Sequence, residues 1–355
     1  MNTSYTLMYE WIQETLFIIK TYQQHNAPES DARSFLSSFY HSQDGAAFQK
    51  HLTLALPQPD LLQEDDGIAY ILRFSKVYDC LGDEASKTRL LWLLRFRICW
   101  MLTGSLVAAQ KMCPYPMECK INYAKALMLQ KRHVHDGTEW NDGIYRVSAN
   151  RHELFLTWCA ETYIYPGKTV FHENNVIIDA GAYQGETAVW YAKMINRKGK
   201  IYAIDVYEPH IENIYQNASE NHLEAVITPV YRGLWHEHTI GGIAKHGEDT
   251  NSMYCSTEAT LISVPFISLD QLVAELSISR IDHIKMDIEG SEVNALTGAT
   301  KTIRRYRPQL SVAAYHSFFA MFTIIEMILG MDQRYEVYIA HKLPMPFDTT
   351  IFAIP

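Results

Sequence analysis

The sequence predicts a doubly wound, mostly parallel α/β domain of seven strands, with an antiparallel last strand, preceded by an all-α N-terminal domain. Over the first ~110 residues, apolar side chains recur every three or four positions, which is the period of an amphipathic helix. From residue 175 onward, short apolar runs alternate with helical segments, as they do in parallel sheets. Only residues 342–348 separate the last two strands, and a connection that short makes a hairpin rather than a parallel crossover.

The composition is that of a packed protein and argues against some partners. The chain has 355 residues, 48% apolar and 20% charged, which suits two domains or one large one. A net charge of −9 argues against nucleic acid as a partner, because binding phosphates requires a surplus of lysine and arginine. The first residues lack a basic segment followed by an apolar run, so we expect no signal peptide. The six cysteines form no CxxC pair, which favours reduced, mostly buried thiols in a cytoplasmic protein.

The N-terminal part is predicted to be helical. Helical spacing of apolar residues is found in “YTLMYEWIQETLFIIKTY” and “DGIAYILRFSKVYDC”. The next helix is expected to begin after Asp83, which is a suitable N-cap. The most apolar stretch is 90–109, but Arg95 and Arg97 lie within it, so we expect a buried helix and no membrane span.

Residues 111–150 break this pattern. They contain two prolines and scattered polar residues, which predicts a linker or an irregular layer with at most one helix, near 120–131. We therefore place the domain boundary here. It divides an N-terminal helical domain with its linker, 1–145, from an α/β domain, 146–355.

The α/β domain is predicted as strands and helices in alternation. The predicted strands are, in chain order, “NVIIDA”, “GKIYAID”, “AVITPVYRGLW”, “IDHIKMDIEG”, “QLSVAAYH”, “RYEVYIAH” and “TTIFAIP”. The predicted helices are “GETAVWYAKMI”, “HIENIYQNASEN”, “SLDQLVAEL”, “SEVNALTGATKTIRRY” and “FFAMFTIIEMIL”. Ser268 is expected to cap the third of these helices.

A glycine turn follows the first strand, in “VIIDAGAYQGETA” (176–188). Open parallel sheets bind ligands at this position, and Gly181 and Gly185 would permit a tight turn and close approach of a ligand. A dinucleotide fingerprint would need a third glycine, and Asp179 and Glu186 would repel a pyrophosphate. Two acids suit a cationic ligand instead, and S-adenosylmethionine carries both an amino group and a sulfonium.

The second strand ends in “YAIDVYEP”, which offers two acids for a ribose diol. An acid at this strand end is where a ribose is held in such folds. Asp205 fits the end of the strand, and Glu208 fits the “EPHIEN” that follows it. The sequence leaves open which of the two acts.

At 176–355 the sequence resembles the FkbM family of S-adenosylmethionine-dependent methyltransferases. The stretches that carry the resemblance are “IIDAGAYQGETA”, “GKIYAID” with “EPHIENI”, “FISLDQL”, “IDHIKMDIEGSEVNALTGATKTIRRYRPQL”, “AAYH” and “YIAHKLPMPFDTTIFAIP”. The most specific of them is “KMDIEGSE”, and “YDCLGDEASKTRLLWLLRFR” is similar to the helical lead-in of some longer members. The resemblance implies a class I methyltransferase fold, S-adenosylmethionine as cofactor, and methyl transfer, usually to a hydroxyl of a sugar or natural product.

This chain departs from the family at one point. The family commonly closes its second strand with an acid directly before proline, as in “YAFEP”, whereas here the pair Glu208-Pro209 comes three residues after Asp205. The departure keeps both acids as candidates for the ribose.

The predicted cofactor site gathers the glycine turn, the two ribose candidates, a ring beside the adenine and an acid after the fourth strand. Its residues are Asp179, Gly181, Ala182, Tyr183, Gln184, Gly185, Thr187, Asp205, Glu208, Trp235 and Asp287. Methyl transfer needs alignment of acceptor and methyl group, and an aliphatic hydroxyl benefits from a base. The predicted catalytic residues are strand-end side chains at the same edge of the sheet, namely His316, His341 and Asp287.

Other polar residues receive secondary roles. Asp348 and Thr349 could line an acceptor pocket, and Lys285 is expected to support packing or a nearby acid. Glu289 is either a cap of the next helix or part of the site. The histidines in “HVHD” and “HEH” lack a second ligand pair at zinc spacing, so no metal is predicted, with Asp287 and Glu289 the only reservation.

Three functions are compatible with these patterns. The first is an O-methyltransferase acting on a small-molecule or glycan acceptor, whose N-terminal domain selects the acceptor, forms a lid or makes a homodimer contact. A nucleotide-dependent oxidoreductase is disfavoured by the missing third glycine and by the acids at the turn. A cofactor-binding scaffold without turnover is the third. The acceptor's identity and its reacting atom, oxygen or nitrogen, stay open.

Overall fold

The computed structural model describes residues 73–103, 105–246, 250–252, 261–316, 320–346 and 348–355, with scattered helical positions between 11 and 21. The first two predicted helices therefore lie partly outside the described residues. Within them, residues 73–80 are helical. No described helix is both long enough and apolar enough to span a membrane, and Arg97, predicted to lie in a buried helix, is half-buried and donates to Ala314 O at 3.0 Å.

The described helices and strands follow the predicted alternation. The helices are α1 (Glu84–Thr103), α2 (Leu106–Met112), α3 (Met117–His133), α4 (Arg151–Leu154), α5 (Glu186–Met194), α6 (Glu208–Glu220), α7 (Leu269–Glu275), α8 (Glu292–Thr297), α9 (Thr300–Tyr306) and α10 (Ala320–Met331). The strands are β1 (Val134–His135), β2 (Glu139–Asn141), β3 (Arg146–Ser148), β4 (Val176–Ala180), β5 (Lys200–Asp205), β6 (Ile227–Tyr231), β7 (Gly233–Leu234), β8 (Thr239–His246), β9 (Thr250–Ser252), β10 (Leu261–Ile267), β11 (His283–Met286), β12 (Gln309–Ala313), β13 (Glu336–His341) and β14 (Thr349–Ile354). A π-helical turn, Phe155–Cys159, continues α4.

The main sheet has seven strands in the order β13-β14-β12-β11-β4-β5-β6. The pairs β12–β11, β11–β4, β4–β5 and β5–β6 are parallel, while β14 is antiparallel to both of its neighbours. The predicted sheet and its reversed last strand are thus confirmed. The short connection after β13 forces the reversal, because a parallel return needs a crossover of a dozen or more residues.

The sheet is buried on both faces, as a doubly wound fold requires. Ile177 and Ile178 are both fully buried, yet they belong to different apolar clusters. One cluster includes α5 and α6 through Trp190 and Ile214, and the other includes α7 to α10. The continuous apolar run of the strand follows from this, since neither of its faces meets water.

The N-terminal helices close one edge of the sheet. Leu81 pairs with Val337 of the edge strand β13, and Ser86 Oγ accepts a hydrogen bond from Ile339 N at 3.0 Å. Arg89 donates to Ile339 O at 3.1 Å. Backbone groups that an edge strand leaves unpaired are thereby satisfied. The predicted division of the chain at residue 145 stays a prediction.

Three local predictions can be compared with the structure. Asp83 Oδ1 accepts from Ser86 N at 2.7 Å, and Ser268 Oγ accepts from Gln271 N at 3.3 Å, so both predicted caps are confirmed. The helix predicted at 291–306 is instead two helices that meet near Gly298. A Cβ atom on Gly298 would overlap the backbone oxygen of Trp235, so this residue allows two segments to pack closely.

Two smaller sheets were not predicted. The stretch expected to be irregular carries α3, longer than the predicted helix, and then β1 to β3, which pair as one antiparallel sheet. A second sheet, in the order β7-β10-β8-β9, follows the third predicted strand, which divides at Arg232 into β6 and β7. Of these strands, β1, β2, β3, β7 and β9 have only two or three residues and are too short to show the alternation that identifies a strand in a sequence.

None of the described cysteines forms a disulfide. Cys99, Cys113, Cys119 and Cys159 are buried, and Cys80 is exposed. Burial raises the pKa of the Cys99 thiol to about 11. Among the described cysteines this agrees with the predicted reduced, mostly buried thiols.

Candidate active site

A cleft opens at the carboxyl ends of the central strands of the main sheet. The second sheet, β7-β10-β8-β9, forms its other wall. Its polar wall includes residues at the ends of three neighbouring strands, Gly181, Asp205 and Asp287. Its apolar wall includes side chains of the second sheet, Leu234, Ile243 and Phe266. Parallel strands bring their carboxyl ends to one edge, which is why these distant residues meet here.

Protein atoms lie against both glycines of the turn. Gly181 has φ +74°, and a Cβ atom there would overlap the backbone oxygen of Asp287. Gly185 has φ +89°, and its Cβ would lie 3.0 Å from the Cα of Ile214 in α6. The glycines are therefore required by the packing of neighbouring strand and helix. Only Gly181 also lines the cleft.

Asp179 lies beneath the turn and does not line the cleft. Its carboxylate is fully buried, accepts from Thr187 Oγ1 at 2.6 Å, and lies 3.3 Å from Lys285 Nζ. Lys285 also donates to Gly181 O at 2.5 Å. Burial opposes charge on Lys285, but Asp179 and Asp287 outweigh it and raise the pKa of the lysine. The expectation that Lys285 supports a nearby acid is confirmed, and the structure makes Asp179 a support of the turn, where a cofactor contact was predicted.

Asp205 is held by its own loops at the edge of the cleft. One carboxylate oxygen accepts from Tyr207 N and lies 3.0 Å from His210 Nδ1, and the other accepts from Tyr183 N at 3.0 Å. A carboxylate can accept about four hydrogen bonds, so one acceptor position is left for a ligand. Glu208 is exposed at the start of α6 and is not among the residues that line the cleft. Between the two ribose candidates, the geometry favours Asp205.

Asp287 is fixed by two tyrosines. Tyr163 donates to Asp287 Oδ2 at 2.6 Å, and Tyr315 donates to Oδ1 at 2.9 Å. The two tyrosines and Asp287 all line the cleft. Burial, with the Asp287 carboxylate second, raises the pKa of both phenols well above the usual value. Both phenols therefore stay protonated and hold the carboxylate in place as hydrogen-bond donors.

Part of the sequence matches a model of a known protein family. The family model described as methyltransferase FkbM domain matches residues 179–338. This part of the chain, somewhat less than half of it, is similar to a methyltransferase FkbM domain. The match runs from Asp179 in β4 to Tyr338 in β13 and includes the cleft residues other than Glu153 and Tyr163. No curated protein matches the chain.

One of the solved structures that match supports the fold, with a TM-score above 0.5. The crystal structure of methyltransferase FkbM from Methylobacillus flagellatus matches with 17% identity and a TM-score of 0.53, over 81% of this chain and 60% of that one. The chain thus spans 60% of the length of that protein. Aeropyrum pernix fibrillarin, solved with natively bound S-adenosyl-L-methionine, matches with 12% identity and a TM-score of 0.35, over 52% and 67% of the two chains. Precorrin-6y C5,15-methyltransferase from Geobacter metallireducens matches with 10% identity and a TM-score of 0.35, over 62% and 96%.

The cleft is acidic. Among the described residues, its lining includes five carboxylic acids, Glu153, Glu186, Asp205, Asp287 and Glu289. The basic residues of the lining are Arg232, His210 and Lys285, and the last of these is already paired with Asp179. Such a lining suits a ligand with cationic groups and disfavours a pyrophosphate.

Glu186 indicates more specifically than the overall charge of the lining that the ligand is cationic. It is buried, and its Oε2 atom has no hydrogen-bond partner among the described residues. Burial, followed by the neighbouring Glu153 carboxylate, raises the pKa of Glu186 well above its usual value. A buried carboxyl oxygen without a partner is costly, and a cationic group in the cleft would offset that cost. The residues present therefore fit S-adenosylmethionine, whose amino group and sulfonium are both cationic.

His316 and His341 lie in different surroundings, although both end strands at the same edge. His316 Nε2 is 3.6 Å from Asp287 Oδ1 and 3.7 Å from Glu289 Oε2. Burial would lower the pKa of His316, but Glu292 and Glu289 raise it well above its usual value. Glu292 accepts from Ile288 N at 2.9 Å, so Glu292 rather than Glu289 caps this turn.

His341 does not reach the cleft, and its predicted catalytic role is not supported by its position. Its ring packs on Trp92 and Tyr115, and its Nδ1 lies 3.1 Å from Thr349 Oγ1. Burial, with two nearby arginines, lowers the pKa of His341 to about 3. The N-terminal helices cover this end of the sheet, which a strand-end argument does not take into account.

Several other predicted site residues are likewise packed away from the cleft. Ala182, Gly185 and Thr187 are buried in the turn, and Gln184 accepts a hydrogen bond from Asn150 N. Trp235 packs against Phe266 from outside the lining. Asp348 accepts from Lys342 N at 2.7 Å, so it holds the last hairpin. Burial raises the pKa of Asp348 to about 7.

Sequence reasoning missed three groups of cleft residues. Tyr163 lies between predicted elements and carries no motif. Tyr315 stands in “AAYH”, where the resemblance was noted but only the histidine was given a role. The apolar wall comes from the unpredicted second sheet. Only Tyr315 had a usable signal, because it directly follows a predicted strand at the carboxyl edge.

Proposed function

We propose that this protein transfers a methyl group from S-adenosylmethionine to a hydroxyl of a sugar, a polysaccharide precursor or a natural-product scaffold. The observation that carries the proposal is the cleft at the carboxyl edge of the main sheet. It joins an acid-rich wall, with the unpartnered Glu186, to an apolar wall formed by the second sheet. A ligand with a cationic end and an aromatic base fits both walls.

Each part of the cofactor has a candidate partner. Asp205 would bind the ribose hydroxyls, and Leu234 and Phe266 would border the adenine. Glu186, whose carboxylate lies among acids, would attract the cationic end. When bound, S-adenosylmethionine supplies a methyl group activated by its sulfonium.

The acceptor would approach Asp287. Its carboxylate is oriented by Tyr163 and Tyr315, so it does not need to reorganise when a hydroxyl binds. As a carboxylate it would accept the hydrogen bond of the acceptor hydroxyl and orient the oxygen. Two tyrosine rings beside it offer flat surfaces on which a sugar ring can pack.

The alternatives are less consistent with the cleft. A nucleotide-dependent oxidoreductase would place a pyrophosphate against the five acids of the lining. A scaffold protein that binds the cofactor without turnover would have the same cleft as an enzyme and would differ only in not transferring the methyl group. A transfer experiment separates it from an enzyme.

The test is label transfer from S-adenosylmethionine carrying a ¹³C-methyl group. We expect transfer to one class within a panel of sugar nucleotides, oligosaccharides and polyhydroxylated small molecules, and the carbon shift identifies a methyl ether. Asp287→Asn should lower the rate by about 10²-fold or more while cofactor affinity changes little. Cofactor binding without label transfer to any member would support the scaffold instead.

A further inference from the structure

We propose that Asp287, Glu289 and His316 form a binding site for one divalent transition-metal ion beside the cleft. Each offers one ligand atom, and the three ligand atoms lie within 4.8 Å of one another. The ligands come from two adjacent strand ends, since Asp287 and Glu289 follow β11 and His316 follows β12.

The separations suit an ion better than hydrogen bonds. His316 Nε2 is 3.6 Å from Asp287 Oδ1 and 3.7 Å from Glu289 Oε2, both beyond hydrogen-bond distance. Two ligands about 2.1 Å from one tetrahedral ion stand about 3.4 Å apart. A small closing movement of the two carboxylates would therefore complete the contacts.

The imidazole itself indicates a missing partner. His316 is 9% exposed, and among the described residues neither ring nitrogen has a well-aligned hydrogen bond. Buried polar atoms are normally satisfied, so the Nε2 atom of His316, which points between two carboxylates without a hydrogen bond to either, needs an explanation. A metal ion supplies one, because it binds the Nε2 lone pair and both acids at once.

The other ring nitrogen faces a supporting acid. His316 Nδ1 lies 3.0 Å from Glu292 Oε1, and that buried carboxylate is held by the backbone amide of Ile288. Histidines that bind metals commonly present their second nitrogen to a carboxylate, which fixes the tautomer and the ring. With the proton on Nδ1, the Nε2 lone pair is free for the ion.

The ligand set also selects the class of metal. One imidazole and two carboxylates suit Mn²⁺, Co²⁺ or Zn²⁺ better than Ca²⁺ or Mg²⁺, which prefer oxygen ligands alone. Three protein ligands leave open positions for water or substrate. The Glu289 side chain is 47% exposed, so an ion can enter from solvent.

An ion here would have a use in the proposed reaction. It would lie next to Asp287, where an acceptor hydroxyl is expected, and would lower the pKa of a hydroxyl bound to it. This role rests on the proposed function. The metal site itself does not, because it stands on the three side chains alone.

The test is a Mn²⁺ titration of the full chain after EDTA treatment and removal of the EDTA. Electron paramagnetic resonance of the free ion counts the bound ions, and pulsed electron paramagnetic resonance of the bound ion detects its ligand nitrogen. We expect one bound ion per chain and nitrogen hyperfine coupling from His316. Glu289→Gln, at an exposed side chain, should weaken binding about tenfold or more. Glu212→Gln, an exposed acid of α6 outside the cluster, is the matched control and should bind as the wild type does.

The outcomes separate this proposal from the proposed function. Because His316 is buried, His316→Gln is interpreted only if its circular dichroism matches the wild type, and it should then lack the nitrogen coupling. No uptake of Mn²⁺ at millimolar concentration, or equal uptake by Glu289→Gln, overturns the metal site. Calorimetric binding of S-adenosylmethionine in EDTA leaves the function intact in that case. Uptake of Mn²⁺ without binding of S-adenosylmethionine would overturn the proposed methyltransferase function and leave the proposed metal site intact.

Discussion

Gly181 shows at the scale of one residue how packing and function share a turn. Its φ of +74° and the nearby Asp287 oxygen leave no room for a side chain. The same close approach lets Lys285 reach the Gly181 carbonyl and lets the turn border the cleft. A substitution of Gly181 should therefore lower the free energy of unfolding by more than the unfavourable φ alone would.

The first prediction compares Gly181→Ala with Gly167→Ala. Gly167 has nearly the same φ, +75°, but nothing lies within 4 Å of its Cβ position. Gly167→Ala should lower the free energy of unfolding by about 1–2 kcal/mol through φ alone. Gly181→Ala should lower it by about 3 kcal/mol more, because the Cβ overlaps backbone. Urea denaturation measures both, and equal losses would contradict the packing account.

Whether the sequence could predict the site differs from one residue to the next. Asp205 and Asp287 were predictable because the position of a residue at a parallel strand end is set by local pattern. Asp179 stands at a similar position, yet its carboxylate is fully buried beneath the turn. The sequence does not show the direction of a side chain at a turn, so it could not separate Asp179 from the other two.

At the scale of elements, the sheet was predictable and its surroundings were not. Strands such as β4 are continuous apolar runs between turn residues, which identifies them in the sequence. The second sheet and the covering of β13 by α1 depend on contacts between distant segments. His341 was misassigned for that reason, since Trp92 from α1 covers it.

The contact between His341 and the helices predicts a pH effect. The pKa of His341 is lowered to about 3, so the folded state keeps it neutral while the unfolded state becomes protonated below its usual pKa of about 6.5. Its contribution to stability is present above pH 6.5 and is lost as the pH falls toward 3. The slope is at most about 1.4 kcal/mol per pH unit.

The variant His341→Gln removes this titration and should show a weaker loss of stability between pH 6.5 and 4. Exposed His238→Gln is the control and should follow the wild type. Urea denaturation across this range is the measurement. Equal acid sensitivity in wild type and His341→Gln would show that the ring is not held neutral by the helices.

At the scale of the whole molecule, the account depends on one cleft. The sheet brings Asp205 and Asp287 to one edge, the second sheet supplies the apolar wall, and five acids set its charge. The N-terminal helices bind the far edge at β13 and so stabilise the sheet, and within residues 73–133 none of their side chains lines the cleft. Cofactor binding is therefore expected to depend on cleft residues such as Asp205 and to tolerate changes just outside the cleft.

The most direct measurement is calorimetric titration of S-adenosylmethionine, and separately of NADH, into the full chain. We predict saturable binding of S-adenosylmethionine at one site and none of NADH. Asp205→Asn should weaken binding about tenfold or more, since a hydrogen bond to a charged group contributes about 1.5–3 kcal/mol. Glu208→Gln, three residues away and outside the lining, should bind nearly as tightly as the wild type. No binding of S-adenosylmethionine, or a loss confined to Glu208→Gln, would contradict the account.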